Sequence, residues 1–450
     1  MTLNFAQLVD DRPDDGVFRV HRRMFSDPAV FELEMKYIFE RTWVFLGLES
    51  QLPRPHDYLT AAIGRQQVVV MRDGEGALAA FLNSCPHKGA TICPLVSGHK
   101  RLHICPYHSW SFDSGGKNRA IKGREQGAYA PAFDGETHDL IPVARFASYR
   151  GLMFGSLSVD VPSLETHLGG ARAMIDVAVG QGERGLELVP GAVGFTFAGN
   201  WKMQLENCSD AYHFSSTHPS YLRLLDHRTE QGVEVPTAIS GTDYWLGEGE
   251  KPLGGSICFE HGHALNWNHL DVTPALPLYH AIDDLDARVG PAARDWMLRL
   301  RNLTLYPNVQ LAENLSSQLR IIRPVSVDRT EMLAYCIAPV GEPADRRALR
   351  IRQYEEFFNP SGLATPDDAA AYEACQSGYR SVAGGWLHGY SRGMARRRWG
   401  GDETSAGLGV DVVSASSGGM QLGDETIMHG AYRQWRALIE KGMAADGAVA

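Results

Sequence analysis

No uninterrupted apolar stretch in these 450 residues approaches the roughly 18 that a membrane span needs, so a bilayer-embedded chain is not expected. A basic excess is missing as well. The chain has 43 Lys+Arg against 53 Asp+Glu, a net charge of −10, which offers no broad positive field to nucleic acid or anionic lipid. The N-terminus, MTLNFAQLVDDRPDD, has acids where an export signal carries positive charge and then an apolar core, so a cytoplasmic protein is expected. Cysteine is sparse: seven, an odd count spread along the chain, which without an export signal reads as reduced thiols or metal ligands. Internal repeats and low-complexity tracts are absent. What remains is a globular balance, 44% hydrophobic and 21% charged, long enough for two or three domains.

Residues 24–43 read as a helix, with Phe31, Met35, Ile38 and Phe39 spaced to share one face. From about 57 to 157 short β-like runs alternate with turn residues. Gln66–Met71, the turn Asp73-Gly74-Glu75-Gly76 and Ala77–Asn83 read as a hairpin, and Trp110–Phe112 before DSGGK, Arg145–Tyr149 and Leu152–Leu157 continue the pattern. Beyond 161 strands and helices mix. Gly194–Ala198 alternates like a strand and runs into NWKMQLENCSDAYHF, which is helix-like. The runs Leu303–Leu311, Leu315–Arg323 and Glu331–Ile337 predict an antiparallel sheet, and helical patterns follow at 343–358, 367–377 and 426–442.

The first chemical signal is CPHKGATICPLVSGHKRLHICPYHSW. Cys85 and His87 form C-x-H, and Cys105 and His108, after seventeen intervening residues, form C-x-x-H. Each half offers one thiolate and one imidazole just after a β run. Structural zinc sites more often pair Cys with Cys and His with His. Mixed pairs suit a [2Fe–2S] cluster in which one iron takes both sulfurs and the other both nitrogens; the alternatives are a zinc site or coincidence. Imidazole ligation raises such a cluster to roughly −150 to +300 mV, against about −400 mV for the plant-type cluster, so it accepts electrons from a flavin or ferredoxin donor. Cys93, His99 and His103 fit neither spacing and read as structural. Cys208, Cys258, Cys336 and Cys375 are scattered, and buried inert thiols are the expectation.

The second signal is ENCSDAYHFSSTHP. On a helix Asp210 and His213 share a face, so Asp210 can accept a hydrogen bond from the ring, and His218 follows just before Pro219, where the helix should end. Two such imidazoles begin a two-His-one-carboxylate face on non-haem Fe(II), which keeps positions open for O2 and substrate; two ordinary helix-end histidines are the alternative. The third ligand has to come from elsewhere, and Asp367 and Asp368, after Pro366 at the start of a predicted helix, are the candidates alongside a simple capping role. An electron-input centre beside an open iron site is built for reductive oxygen activation. His261-Gly262-His263 reads as strand-end packing rather than pocket wall, and Arg392 with Arg396-Arg397-Arg398 as a solvated helix face, with reductase docking as the lesser alternative.

With these motifs in place, C-x-H-x17-C-x2-H, N-x2-D-x-Y-H-x4-H and the late Asp-Asp pair, the chain resembles the large (α) subunits of Rieske non-haem iron ring-hydroxylating oxygenases over nearly its whole length. The stretches GVFRVHRRMF, FELEMKYIFERTWVFLGLES, VARFASYRGLMFGSL, SQLRIIRPVSVDRTE, IRQYEEFFNPSGLATPDD and ACQSGY are most similar to the benzoate/toluate/anthranilate 1,2-dioxygenase branch. The resemblance implies an α+β fold, with a β-rich Rieske domain (43–160) set into a catalytic domain (1–42 and 161–450) whose antiparallel sheet is gripped by helices. It makes Cys85, His87, Cys105 and His108 the cluster ligands, and His213, His218 and Asp368 the ligands of a mononuclear Fe(2+). It makes Asp210 a bridge from His213 to His108 of a neighbouring subunit and puts Asn207 close to the iron. It implies cis-dihydroxylation of an aromatic carboxylate with O2, or as the nearest alternative monooxygenation of salicylate or a related acid. A small β subunit in an α3β3 hexamer and a separate NADH-dependent flavin/[2Fe–2S] reductase are the implied partners. Gly-x-Gly-x-x-Gly and C-x4-C-x2-C are absent, so no fused reductase is expected. Lys88 and Ser109 depart from the family pattern, which commonly has Arg and Gly there.

Overall fold

The computed structural model describes residues 5–233, 254–270, 272–313, 316–381, 383–418 and 424–447, to which all structural statements refer. The chain forms two compact units, Met35–Leu164 and Met1–Glu34 with Glu165–Ala450. No helix among the described residues is long and apolar enough to cross a membrane.

The smaller unit is built from antiparallel sheets. One has the order Leu78–Leu82, Gln66–Arg72, Asp57–Ile63, Ser97–His99; a second places Leu152–Ser156 between Arg145–Tyr149 and Val44–Leu48; a third places Ser111–Asp113 between Asn118–Ala120 and Leu102–Ile104. Two hairpins turn by the same device. Asp73 Oδ1 accepts the backbone N–H groups of Glu75 and Ala77, each at 2.9 Å, and Asp113 Oδ1 accepts those of Gly115 and Lys117, each at 2.9 Å. This asparagine-type local bond lets a short acid dictate the turn.

The larger unit is organised by an antiparallel sheet of ten strands. Its central run is Arg329–Pro339, Ser317–Ser326, Val309–Glu313, Leu300–Leu305, Ala264–Asn268 and Gly254–Cys258, with Val193–Phe197 also paired to Arg329–Pro339. Helices Trp201–Ser209, Pro219–Glu230, Ala344–Phe357 and Thr365–Tyr379 supply buried faces in the same unit. Tyr221, Leu222 and Leu225 pack with Ala312, Cys336, Ala338, Tyr354 and Phe357.

Several sequence expectations change in detail. The helix expected over 24–43 is three pieces, Arg23–Ser26, Pro28–Glu34 and a wide turn at Met35–Phe39, because Asp27 precedes Pro28 and is pushed into extended backbone. The run Leu303–Leu311 is two strands joined at Tyr306-Pro307-Asn308, since proline removes a ladder donor. The strand expected from Leu315 runs Ser317–Ser326, and Leu315 lies outside the described residues. The basic run near the C-terminus is no helix face. Arg392 and Arg397 lie over the rings of Tyr212 and Trp399, at 3.8 and 4.0 Å, and Arg398–Trp399 is a short edge strand.

Candidate metal centres

Cys85, His87, Cys105 and His108 come from two turns of matching design. In each, a backbone N–H four residues on returns to the cysteine carbonyl: Gly89 to Cys85 at 2.8 Å and Ser109 to Cys105 at 3.0 Å. Both closing residues have positive φ, 78° for Gly89 and 61° for Ser109. Ser109, a departure from the family glycine, therefore occupies the left-handed region that glycine enters without strain. The thiols are buried and not joined in a disulfide, and burial raises the pKa of Cys85. The rings of His87 and His108 stand 4.5 Å apart, and His87 stacks on Trp110 at 4.9 Å. The Nδ1 atoms of both histidines are buried without a hydrogen-bond partner. Orphaned buried nitrogens normally have an unseen partner, and two of them beside two thiols fit a [2Fe–2S] group. Cys93 and His103 contact each other instead, Sγ to Nδ1 at 3.2 Å, and His99 Nδ1 bonds Asp57 Oδ1 at 2.9 Å.

The second centre lies in the larger unit. Asn200 caps the Trp201–Ser209 helix, its side chain accepting Lys202 N–H at 3.1 Å. Glu34, fully buried, accepts from Trp201 Nε1 at 2.8 Å, Trp435 Nε1 at 2.8 Å and Lys202 Nζ at 2.6 Å, which anchors the first turn. The helix ends before Asp210, whose backbone is extended, so the shared helical face expected for Asp210 and His213 does not form. The two meet through a turn: Asp210 Oδ1 accepts Tyr212 N–H at 2.6 Å, and Asp210 Oδ2 stands 3.3 Å from His213 Nδ1. His218 separates the short helix Phe214–Thr217 from Pro219–Glu230, where Pro219 begins a new helix.

Asp368 belongs to the inward stripe of Thr365–Tyr379, with Tyr372 and Gln376 at intervals of four. Its Oδ1 lies 3.5 Å from His213 Nε2 and 3.2 Å from His218 Nε2, and it accepts from Asn207 Nδ2 at 3.0 Å. One ligand atom each from His213, His218 and Asp368 lies within 4.8 Å of the others. Burial opposes charge on Asp368 and on His213, but their mutual contacts prevail: Asp368 is held far below the usual carboxylate range, and Asp210 and Asp368 raise His213 to about 10. A buried cluster this anion-rich fits a divalent cation, and the N2O donor set suits non-haem iron.

These three residues line a cleft of about 790 Å³ of empty space, solvent at its mouth included, with Phe214, Phe357, Phe358 and Leu300 as apolar wall and Asn266, Asn302 and Arg320 as polar groups. Arg320 was not among the sequence candidates; the only signal was a charge inside the apolar run Leu319–Ile322. His263 is absent from the wall. Its Nε2 bonds His167 O at 2.9 Å and its Nδ1 accepts Tyr306 N–H at 2.9 Å, a strand-end packing role. Cys208 lines the cleft, Cys258 and Cys336 are buried, and Cys375, expected buried, is exposed on the outer face of the Thr365–Tyr379 helix.

Residues 42–139 match the Rieske [2Fe-2S] domain family and residues 175–441 the ring hydroxylating alpha subunit (catalytic domain) family. The chain is 42% identical over 438 residues to toluate 1,2-dioxygenase subunit alpha of Pseudomonas putida, covering 97% of this chain and 94% of the relative. It is 38% identical to the large subunit of 2-halobenzoate 1,2-dioxygenase of Burkholderia cepacia, covering 98% and 93%. Among solved structures, a naphthalene 1,2-dioxygenase variant bound to phenanthrene superposes with TM-score 0.79 at 25% identity, covering 96% of this chain and 94% of that one.

Proposed function

The chain belongs to the ring-hydroxylating α-subunit family, with a Rieske [2Fe–2S] domain and a non-haem iron catalytic domain, and on that premise we propose that it is the large subunit of a terminal oxygenase that cis-dihydroxylates an aromatic carboxylate of the benzoate type. The observation that carries this is the convergence of His213, His218 and Asp368 on a cleft walled by Phe214, Phe357 and Phe358.

In this reading Cys85, His87, Cys105 and His108 hold the cluster, and His213, His218 and Asp368 hold the iron. When bound, the two groups supply single electrons and open coordination positions at which O2 is reduced beside the ring. Asn207 fixes the Asp368 carboxylate by its 3.0 Å hydrogen bond. Asp210 orients the His213 ring and bridges to His108 of a neighbouring copy. The phenylalanine wall holds the aromatic ring flat and keeps bulk water away from it. We assign 43–160 to the cluster domain and 1–42 with 161–450 to the catalytic domain. A small β subunit in an α3β3 assembly and a separate NADH-dependent flavin/[2Fe–2S] reductase complete the system, which works in the cytoplasm.

The test is turnover of the reconstituted oxygenase and reductase with benzoate, anthranilate and salicylate offered separately, products read by mass. A cis-diol from benzoate, or catechol from anthranilate, is the expected result. Hydroxylated salicylate alone, with no product from the other two, would replace this reading with monooxygenation.

A further inference from the structure

Three arginines are buried among the described residues: Arg301, Arg350 and Arg320, at 2, 2 and 7% exposure. Two of them are matched to a buried carboxylate. Arg301 Nη2 lies 2.8 Å from Glu313, and Arg350 Nη2 lies 2.6 Å from Glu342. Arg320 makes no ion pair among the described residues. Among the described residues its side-chain hydrogen bond runs from Nε to Gln318 Oε1 at 2.5 Å, and its guanidinium carbon stands 5.0 Å from the centre of the Phe358 ring. A guanidinium cannot shed its proton to escape burial, so an unpaired buried arginine is costly unless an anion arrives to meet it.

Its place in the fold says where that anion comes from. Arg320 sits in the middle of the Ser317–Ser326 strand, paired to Gln310 on one side and Ala334 on the other, so the backbone holds it rigidly. Ala312, on the neighbouring strand, lines the same cleft and leaves space beside it, and Phe358 supplies an aromatic face. The fork is thus presented to the cavity that also contains His213, His218 and Asp368.

We propose that Arg320 is the specificity residue of this cleft: it binds the carboxylate of the aromatic acid through its Nη groups. The acid is thereby anchored at one end and its ring turned toward the iron ligands. The inference rests on the aromatic-carboxylate reading above and adds the group that recognises the acid. The planar two-donor fork matches a carboxylate in a way a lysine ammonium does not.

The experiment uses the complete oxygenase with its reductase, and compares wild type, Arg320→Gln and Arg320→Lys. Benzoate affinity is measured by titration calorimetry, thermal stabilisation by benzoate is recorded, and kcat and KM are determined for benzoate and for its neutral isostere benzamide. Arg320→Gln is expected to weaken benzoate binding on the order of 100-fold, to shift the benzoate-to-benzamide preference by a similar factor, and to leave the Rieske spectrum and iron content unchanged. Its melting temperature without benzoate should match or exceed wild type, because an unpaired buried charge has been removed. Arg320→Lys should recover part of the benzoate affinity. A Gln variant that binds benzoate as wild type does, or a lower melting temperature with benzoate affinity intact, overturns the inference and makes Arg320 structural. If wild type itself neither binds nor oxidises any aromatic carboxylate, the substrate reading falls, and this inference with it, a result distinct from a variant that merely equals a benzoate-binding wild type.

Discussion

Asp367 and Asp368 address opposite nitrogens of one imidazole: Asp368 Oδ1 lies 3.2 Å from His218 Nε2, and Asp367 Oδ2 lies 3.6 Å from His218 Nδ1. Successive residues on a helix point about 100° apart, so one acid can face the cleft while its neighbour reaches behind the histidine. The Asp368 side chain is 8% exposed and that of Asp367 41%. Asp368→Asn is expected to lose the mononuclear iron while keeping the Rieske spectrum. Asp367→Asn should keep the iron with little loss of affinity, because Asp367 Oδ2, at 3.6 Å, makes no hydrogen bond to His218 Nδ1. Iron content against a graded chelator, read beside the cluster absorbance, separates the two.

Among the described residues, Asp210 contacts His213 and no other candidate metal ligand. Asp210→Ala should therefore retain both metals but slow oxidation of the reduced cluster by O2 in the presence of substrate, on the order of 100-fold if the bridge carries the electron. Stopped-flow absorbance of the reduced protein follows this directly. Loss of the Rieske spectrum in the variant would make Asp210 structural.

Among the described residues, Glu34 is the sole carboxylate paired with Lys202 Nζ, at 2.6 Å, with both side chains essentially unexposed. Glu34→Gln leaves the ammonium without its counter-charge, a change that costs about 3–5 kcal/mol in comparable buried pairs. The expected result is a lower melting temperature and loss of the mononuclear iron, since the first turn of the helix bearing Asn207 loses its anchor. The cluster absorbance should persist at temperatures below the transition.

Glu206 accepts hydrogen bonds from Tyr390, at 2.8 Å, and Tyr432. Burial raises its pKa to about 7, the nearby Glu425 and Asp210 adding to the shift, while the two tyrosines act against it. The folded protein thus holds a proton that the unfolded chain releases near its ordinary value of 4.5. This contribution to stability is complete below pH 4.5 and is lost as pH rises through about 7. Glu206→Gln should flatten the fall in melting temperature between pH 5 and pH 8, by up to roughly 3 kcal/mol in stability terms. A residual slope is expected from Glu425, which burial also raises to about 7.

The metal motifs were legible because their chemistry is local. Each Cys/His pair lies within one turn, and the Asp73 and Asp113 turns bring their hairpins with them. His213 and His218 were legible for the same reason, although the helix joining Asp210 to His213 was not real, since Asp210 bonds its own downstream backbone instead of continuing the helix. Spacing alone left Asp367 and Asp368 open, because burial decides between adjacent acids and burial is set by what the helix packs against. Glu34 and Arg320 were hard to read for a related reason. A buried charge is recognised by its partner; that of Glu34 is 168 residues away, and among the described residues no carboxylate pairs with Arg320.

In the proposed function both atoms of O2 enter the ring of an aromatic carboxylate. A single turnover of the fully reduced oxygenase with benzoate under ¹⁸O2 tests it most directly, with the product analysed by mass. The expected product is a cis-diol carboxylate carrying label in both new hydroxyl groups. A product with one labelled oxygen would contradict it.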